Sequence, residues 1–305
     1  MIEARKKLKD AKKIVIKIGT SSLVYPNGKT NLRRIQTLAR VISDLMNEGR
    51  KVVLVSSGAI GLGVDKLKLT EKPSTVAGRQ AVAAVGQVSL MQAYGRAFED
   101  YGYSSGQLLL TKYIIGREES KRNSINTFNA LMDMNIIPIV NENDTVAVDE
   151  IKFGDNDNLS RIVSELIGAD LLIILTDIDG YYSKNPHENP DAVLYHNISD
   201  LSEQIEAAAG GAGSRLGTGG MLTKVHASRL AAEQGTNAVI ANGSNPEIIY
   251  DILDGAEVGT LFIANPKKCE SAGKGDLQNG KRVQPHDEHD DVHGDVHVHA
   301  LPCPF

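Results

Sequence analysis

The sequence contains no tryptophan, and aromatic residues make up 5% of its 305 positions. Aliphatic side chains must therefore supply most of any buried core, and a hydrophobic content of 41% is enough for that purpose. Cysteine is also scarce, because the two cysteines, Cys269 and Cys303, both follow Ala264. Nothing in the part of the chain that reads as globular therefore requires an oxidising compartment.

The sequence also lacks a long apolar run and an excess of positive charge. No segment approaches the ~20 apolar residues that span a bilayer, and the first residues lead into charged sequence instead of an apolar signal segment. A net charge of −5 argues against nucleic acid as the main partner, because phosphate backbones are bound by basic surfaces. We therefore predict a cytoplasmic protein that binds neither membranes nor nucleic acid.

From Lys12 to Ala264 the chain alternates short aliphatic runs with longer amphipathic segments, a pattern typical of a parallel α/β sheet. The aliphatic runs alternate only weakly with polar residues, which indicates strands covered on both faces. We predict one domain over residues 1–264, with an α/β fold that is a three-layer αβα sandwich around a mainly parallel central sheet. The predicted strands are Lys13–Ile18, Val52–Ser56, Ser105–Leu110, Ile136–Val140, Leu171–Thr176, Asn237–Ala241 and Gly259–Ile263; helices are predicted from Leu32 to Leu45 and over Val76–Tyr101, Glu118–Asn135, Leu159–Gly168 and Leu222–Gly235.

The segment 265–305 differs in composition from the rest of the chain. Lysine and arginine come first, and aspartate and histidine then alternate from Pro285 to His299. Such a composition cannot bury enough apolar surface to fold alone. We predict a disordered tail without a catalytic role; weak binding of a divalent metal by its irregularly spaced histidines is the less favoured alternative.

Three segments combine an apolar run or a helix start with a turn of small residues. They are Lys17-Ile-Gly-Thr-Ser21, Val55-Ser-Ser-Gly58 and Gly217-Thr-Gly-Gly-Met-Leu-Thr-Lys224. Small residues let backbone N–H groups and a lysine approach an anionic ligand without obstruction by Cβ atoms. The three segments together predict loops that bind phosphate.

Familiar nucleotide-binding signatures are absent from the sequence. The segment 275–281 resembles a Walker loop, but Arg282 stands where Ser or Thr would hold Mg²⁺, and no strand precedes it. The glycines after Ser57 do not form the G-x-G-x-x-G pattern of dinucleotide-binding units. The sequence therefore gives no support for hydride transfer.

Two polar clusters, 141–144 and 153–158, flank predicted strand ends, where ligands of open α/β sheets bind. Cations, carboxylates and small-residue loops are the combination that phosphoryl transfer uses. These loops contain no histidine to act as a base, which fits an acceptor that is itself an ionised carboxylate.

Six motifs in this order resemble the glutamate 5-kinase family of the amino acid kinase superfamily. The resemblance covers about residues 10–264 and implies the amino acid kinase fold. It implies ATP-dependent phosphorylation of the γ-carboxylate of L-glutamate to L-glutamyl 5-phosphate, the first step of proline biosynthesis. The motifs are Lys17-Ile-Gly-Thr-Ser21, Val55-Ser-Ser-Gly-Ala-Ile-Gly61, Ile139-Val-Asn-Glu-Asn-Asp144, Phe153-Gly-Asp-Asn-Asp-Asn-Leu-Ser160, Leu175-Thr-Asp177 and Gly217-Thr-Gly-Gly-Met-Leu-Thr-Lys224.

The resemblance also assigns roles by position. It implies ATP and Mg²⁺ as cofactors, without fixing the metal ligands, and it implies a homo-oligomer and feedback inhibition by proline. Many bacterial members continue into a PUA domain, which we do not expect here. The implied catalytic residues are Lys17, Lys224 and Asp157, where the lysines neutralise the phosphoryl group and Asp157 organises the centre; glutamate would be held by Ser57, Asp144 and Asn156, and ATP by Lys17, Thr176, Asp177, Thr218, Gly219, Gly220, Met221, Leu222, Thr223 and Lys224.

Other readings of these residues remain open at this point. Without the resemblance, Asp144 and the segment 155–157 read equally well as turn formers, and Ser56 and Ser57 as helix caps. Sister kinases acting on N-acetylglutamate, aspartate or carbamate are alternative enzymes, although the Lys-Phe-Gly-Gly opening of aspartate kinases is absent. A non-catalytic sensor of ATP or of an amino acid such as proline is an alternative of another class, against which the presence of both lysines weighs.

Overall fold

The computed structural model describes residues 2–111, 116–146, 156–186, 188–203 and 220–265, and its eight strands form one sheet. The strand order is β3-β4-β2-β1-β5-β7-β8-β6, and among these pairings β7 with β8 is the antiparallel one. The prediction of an α/β fold with a mainly parallel sheet is confirmed. The strands are β1 (Lys13–Ile18), β2 (Lys51–Ser56), β3 (Ser105–Leu110), β4 (Ile137–Glu142), β5 (Leu171–Thr176), β6 (Asn197–Ile198), β7 (Asn237–Asn242) and β8 (Thr260–Phe262).

Helices cover the sheet on both faces, and each central strand contributes to two cores. Along β1, Ile14 and Ile16 belong to the core under α3, α5 and α9, whereas Val15 belongs to the core under α6, α7 and α8. This alternation follows from the period of two in a strand and explains why the central strands read as continuous aliphatic runs. The helices are α1 (Ile2–Lys6), α2 (Thr20–Leu23), α3 (Leu32–Asn47), α4 (Ala59–Leu67), α5 (Val76–Glu99), α6 (Glu118–Asp133), α7 (Asn156–Ile167), α8 (Met221–Glu233) and α9 (Ile248–Leu253), with a 3₁₀ turn over Lys7–Asp10.

The predicted strands agree with the observed ones to within two residues at each end, but several short elements were not predicted. The two-residue strand β6 and the short helices α1, α2 and α9 carry too few residues to show a period. Helix α4 was missed for another reason, since its sequence Ala-Ile-Gly-Leu-Gly-Val reads as a glycine-rich loop.

Helix α4 instead packs very closely on α5. A Cβ atom at Gly86 would lie 1.7 Å from the carbonyl oxygen of Ala59, and one at Gly63 would lie 2.1 Å from that of Val82. Glycine at these positions therefore allows the two helices to pack more closely than any larger residue would permit. The contact fixes the start of α4, and with it the turn that contains Ser57.

Several predicted features lie outside the described residues: the tail from residue 266 onward, Asp155, Thr218 and Gly219. Asn265, the last described residue, is bound to helix α8, because its N–H donates to the carbonyl oxygen of Ala232 at 2.9 Å. Among the described helices, none has both the length and the apolar character that crossing a bilayer requires.

Candidate active site

The candidate residues gather where four neighbouring parallel strands end. Strand β1 pairs in parallel with β2 on one side and with β5 on the other, so that Ile18 stands beside Ser56 and Leu175. Strand β4 in turn pairs in parallel with β2. The carboxyl ends of β4, β2, β1 and β5 therefore form one edge, the usual position of ligands in open α/β sheets.

At the centre of this edge, Lys17 and Lys224 contact the same carboxylate. The Nζ atom of Lys17 lies 2.5 Å from Oδ1 of Asp157, and that of Lys224 lies 3.1 Å from Oδ2. Asp157 is fully buried, and both lysines are less than a tenth exposed. The structure thus brings together two ammonium groups that are distant in sequence, as a pair that faces a single buried anion.

The starts of two helices hold this cluster. Asp157 is the second residue of α7 and Lys224 the fourth of α8, and the two helices pack against each other. A carboxylate in the first turn of a helix is stabilised by the helix dipole, whereas a lysine there is not. Thr223 adds a hydroxyl 2.9 Å from Asp157 Oδ2 and 2.8 Å from the carbonyl oxygen of Gly220.

Beside the lysines lies a network of neutral side chains. Nδ2 of Asn156 donates to Oγ of Ser57 at 2.7 Å and to Oδ1 of Asn141 at 2.9 Å. Nδ2 of Asn141 donates in turn to Oε1 of Gln87, on α5, at 2.9 Å. Oδ1 of Asn156 is buried and has no hydrogen-bond partner among the described residues.

The two adjacent serines at the end of β2, Ser56 and Ser57, take different positions. The Ser56 hydroxyl lies 3.0 Å from that of Tyr94 inside the core, where burial raises the pKa of Tyr94 above its usual value. Ser57 instead contacts Asn156 at the strand edge. Helix α4 begins after Gly58 without a side-chain cap, so neither serine caps it.

Asp144 lies in the turn that follows β4. Burial raises the pKa of its carboxyl group above the usual range. Within the described part of the chain, desolvation is the cause of this shift, and no hydrogen bond or ion pair of the Asp144 side chain offsets it. A partly desolvated carboxylate without a counter-charge is suited to a ligand that brings a cation.

On the other side of the lysines, the end of β5 and the start of α8 are more open. The buried hydroxyl of Thr176 donates to Oδ1 of the exposed Asp177 at 3.1 Å. Gly220, in an extended conformation, precedes α8 without a side-chain cap, and Leu222 is exposed. A helix start of this kind offers backbone N–H groups to anions. Two residues proposed for the same loop, Thr218 and Gly219, lie outside the described residues.

Sequence reasoning did not select Asn141 or Gln87 as site residues. Asn141 belongs to the polar cluster 141–144, and its role in the network depends on how β4 and α7 are placed relative to each other. Gln87 follows Ala-Ala-Val-Gly and precedes Val-Ser-Leu on α5. A glutamine within such an apolar stretch was the available signal that it has a buried polar partner.

Comparison with known proteins gives concordant results. Residues 12–242 match the model of the amino acid kinase family. The chain is 53% identical over 264 residues to a glutamate 5-kinase of Clostridium perfringens, covering 85% of this chain and 98% of the relative. It is 52% identical to a glutamate 5-kinase of Enterococcus faecalis over 263 residues, covering 85% and 97%.

Solved structures share the fold at low sequence identity. A carbamate kinase from Giardia lamblia bound to AMP-PNP has a TM-score of 0.61 at 18% identity, covering 84% of this chain and all of that one. An isopentenyl phosphate kinase of T. acidophilum, in a product complex, has a TM-score of 0.53 at 19% identity, covering 82% and 99%. These similarities support the same architecture and carry no information on the acceptor.

Proposed function

The chain belongs to the amino acid kinase family, and we propose that it transfers the γ-phosphoryl group of ATP to the γ-carboxylate of L-glutamate. The product is L-glutamyl 5-phosphate, formed in the first step of proline biosynthesis. Relatives of about half identical sequence over nearly their whole length are glutamate 5-kinases. The observation that carries the proposal in the structure is the convergence of Lys17 and Lys224 on Asp157, beside a network of neutral polar groups.

The proposed reaction needs positive charge and no base. An oxygen of the γ-carboxylate attacks the γ-phosphorus, a new P–O bond forms, and the bond to the β,γ-bridging oxygen breaks as ADP leaves with its electron pair. A carboxylate is ionised at neutral pH, so no proton must be removed. Lys17 and Lys224 stabilise the charge on the transferred group, and Asp157 holds both ammonium groups in place.

Glutamate is held by Ser57, Asn156 and Asp144 in this proposal. Its ammonium group needs acceptors, and two are available: Oδ1 of Asn156, which is buried, and the carboxylate of Asp144, whose pKa is raised by burial. Oδ1 of Asn156 is buried and the carboxylate of Asp144 is partly desolvated, and neither has gained a partner among the described residues. The ammonium group of glutamate supplies the hydrogen-bond donors that these two acceptors lack.

ATP lies on the opposite side of the lysines in this proposal. Thr176 and Asp177 line the nucleotide site, and residues 218–224 cover the phosphates, with backbone N–H groups at the start of α8 directed to them. Among the described residues, no group of three or more His, Cys, Asp or Glu side chains is placed to hold a metal. Mg²⁺ commonly binds through substrate phosphates and few protein ligands, so we assign it to the phosphate oxygens of ATP.

Four further properties belong to the proposal without a direct observation in the structure. Proline competes with glutamate, the chain forms a homo-oligomer, the reaction takes place in the cytoplasm, and residues 1–264 form the catalytic domain. Glutamate saturation curves with and without proline test the first, and sedimentation of the purified chain tests the second. Unchanged saturation curves would remove the claim of inhibition by proline.

A hydroxylamine-trapping assay tests the reaction itself. The purified chain, ATP and Mg²⁺ should form γ-glutamyl hydroxamate from L-glutamate, because hydroxylamine captures an acyl phosphate. N-acetylglutamate, aspartate and carbamate should each react more slowly, as followed by ADP release. Faster phosphorylation of N-acetylglutamate than of glutamate would overturn the assignment of glutamate as the acceptor. Binding of ATP or proline without ADP release in the presence of any of these acceptors would indicate a non-catalytic sensor.

A further inference from the structure

The side chain of Asn156 is held by a series of buried amides that starts on another helix. Gln87, Asn141 and Asn156 come from α5, β4 and α7, and they are joined by two hydrogen bonds of 2.9 Å each. We call these three side chains the amide relay. Gln87 and Asn141 are buried, and neither has a part in the reaction described above.

One backbone group determines the orientation of every amide in the relay. The N–H of Glu142 donates to the Asn141 side chain at 2.9 Å, so the atom that receives it must be the oxygen Oδ1. Nδ2 of Asn141 must then face Gln87, whose facing atom is the acceptor Oε1. The Asn156 atom that meets Oδ1 of Asn141 must be a donor, Nδ2. Oδ1 of Asn156 is thereby left as the free acceptor.

We propose that Gln87 and Asn141 are positioning residues that hold Oδ1 of Asn156 ready for the ammonium group of the substrate. The relay makes the enzyme select an amino dicarboxylic acid over the same dicarboxylic acid without an amino group. This inference rests on the proposed function, because it concerns the acceptor of that reaction. Neutral amides suit the task, since a carboxylate in their place would repel two anionic substrates.

The unpaired atoms of the relay support this role. In the part of the chain that the structure describes, Oδ1 of Asn156 and Nε2 of Gln87 are both buried without a hydrogen-bond partner. An apolar residue at position 87 would avoid a buried donor of this kind. The glutamine therefore contributes through its oxygen, which is the atom that holds Asn141.

The substitution Gln87→Met tests the proposal, because methionine keeps the size and removes the acceptor. Asn141 then has a buried donor without a partner, which it can satisfy only by turning away from Asn156. With Asn156 free to rotate, kcat/KM for L-glutamate should fall about tenfold, the effect of one hydrogen bond. For glutarate, the five-carbon dicarboxylate without an amino group, kcat/KM should stay within about twofold, because no ammonium is there to be recognised. ADP release measures both.

The matched control is Gln92→Met, at an exposed position of the same helix, which should leave both substrates unaffected. Gln87→Glu keeps an acceptor oxygen, so it should keep the preference for glutamate over glutarate even if its charge lowers kcat/KM for both substrates, and it tests the proposal if Gln87→Met does not fold. Equal losses with both substrates in Gln87→Met, no change with glutamate, or a lost preference in Gln87→Glu would overturn the role of the relay. A wild-type chain that does not phosphorylate glutamate would instead overturn the proposed function.

Discussion

The two sides of the candidate active site, the acceptor side and the donor side, are built in different ways. On the acceptor side, Ser57, Asn141 and Asn156 come from distant parts of the sequence and hydrogen-bond to one another. On the donor side, Thr176 contacts its neighbour Asp177, and Thr223 contacts the nearby Gly220. The long-range contacts of α8 at this point, from Thr223 and Lys224, go to the shared carboxylate of Asp157. The acceptor is a small molecule that side chains must orient, whereas a nucleotide presents phosphates that backbone N–H groups can reach. Single substitutions should therefore act more strongly on the acceptor side.

The lysine pair joins the two sides. Lys17 belongs to β1, next to the strand that Ser57 follows, and Lys224 belongs to α8, whose start forms part of the donor side. Because Asp157 contacts both lysines, one buried carboxylate links the acceptor side of the site to the donor side. Loss of either lysine should therefore be more damaging than any change confined to one side.

The largest effect is expected from Lys17→Met and Lys224→Met. Each should lower kcat by about 10²–10³-fold, the usual cost of removing one group that stabilises transition-state charge. ADP release at saturating glutamate and ATP measures this, and thermal unfolding reports whether each variant folds. Lys13→Met, at the other end of β1, is the control, since its Nζ contacts the carbonyl oxygen of Ile167 and not the cluster. More than a tenth of the wild-type kcat in either variant would contradict the assignment.

The next effect concerns the acceptor side alone. Asp144→Asn should raise the KM for glutamate by about 10- to 100-fold, because a charge-assisted contact with the substrate ammonium is lost. The KM for ATP should stay within about twofold. If both KM values rise together, Asp144 does not act on glutamate specifically.

Asp144→Asn should weaken glutamate binding but should stabilise the folded chain at neutral pH. Burial raises the folded-state pKa of Asp144 above its unfolded value, so the folded chain binds more protons than the unfolded chain between those two pKa values. Stability is consequently lost as the pH rises through that interval, and a neutral asparagine avoids this loss. Asp144→Asn should therefore melt at a slightly higher temperature than the wild type at neutral pH, and at no higher temperature once the pH is below both pKa values.

A smaller effect should follow from pH. As the pH falls towards the raised pKa of Asp144, protonation of the carboxylate should weaken glutamate binding, so kcat/KM should fall by up to about tenfold per pH unit below that pKa. The substrate carboxylate also titrates in acid. Comparison with Asp144→Asn separates its titration from that of Asp144, because the variant keeps the titration of the substrate and loses that of residue 144. Parallel pH profiles of the two enzymes would show that Asp144 does not titrate in binding.

The contrast between the two sides also explains what the sequence could predict. The central strands were evident because each is buried on both faces, and the lysines because each stands beside a glycine-rich turn. That Lys17 and Lys224 act together, with Asp157 organising the centre, was an expectation from the family resemblance, and no local pattern contains it. The amide relay depends on the register of three separate elements and on a close helix crossing at Gly86, neither of which is visible in any one segment.

The smallest effect is expected on the donor side. Thr176→Val removes a hydroxyl that contacts Asp177 and keeps the shape of the side chain, so the KM for ATP should rise by about two- to fivefold, with the KM for glutamate unchanged. Thr236→Val is a matched control: Thr236 is equally buried, and its hydroxyl donates to the carbonyl oxygen of Ala169 at the amino-terminal side of the sheet. It should change thermal stability without changing either KM. If Thr176→Val affected glutamate as strongly as ATP, the two sides would not be separable, because a donor-side hydroxyl would then influence the acceptor network across the lysine pair.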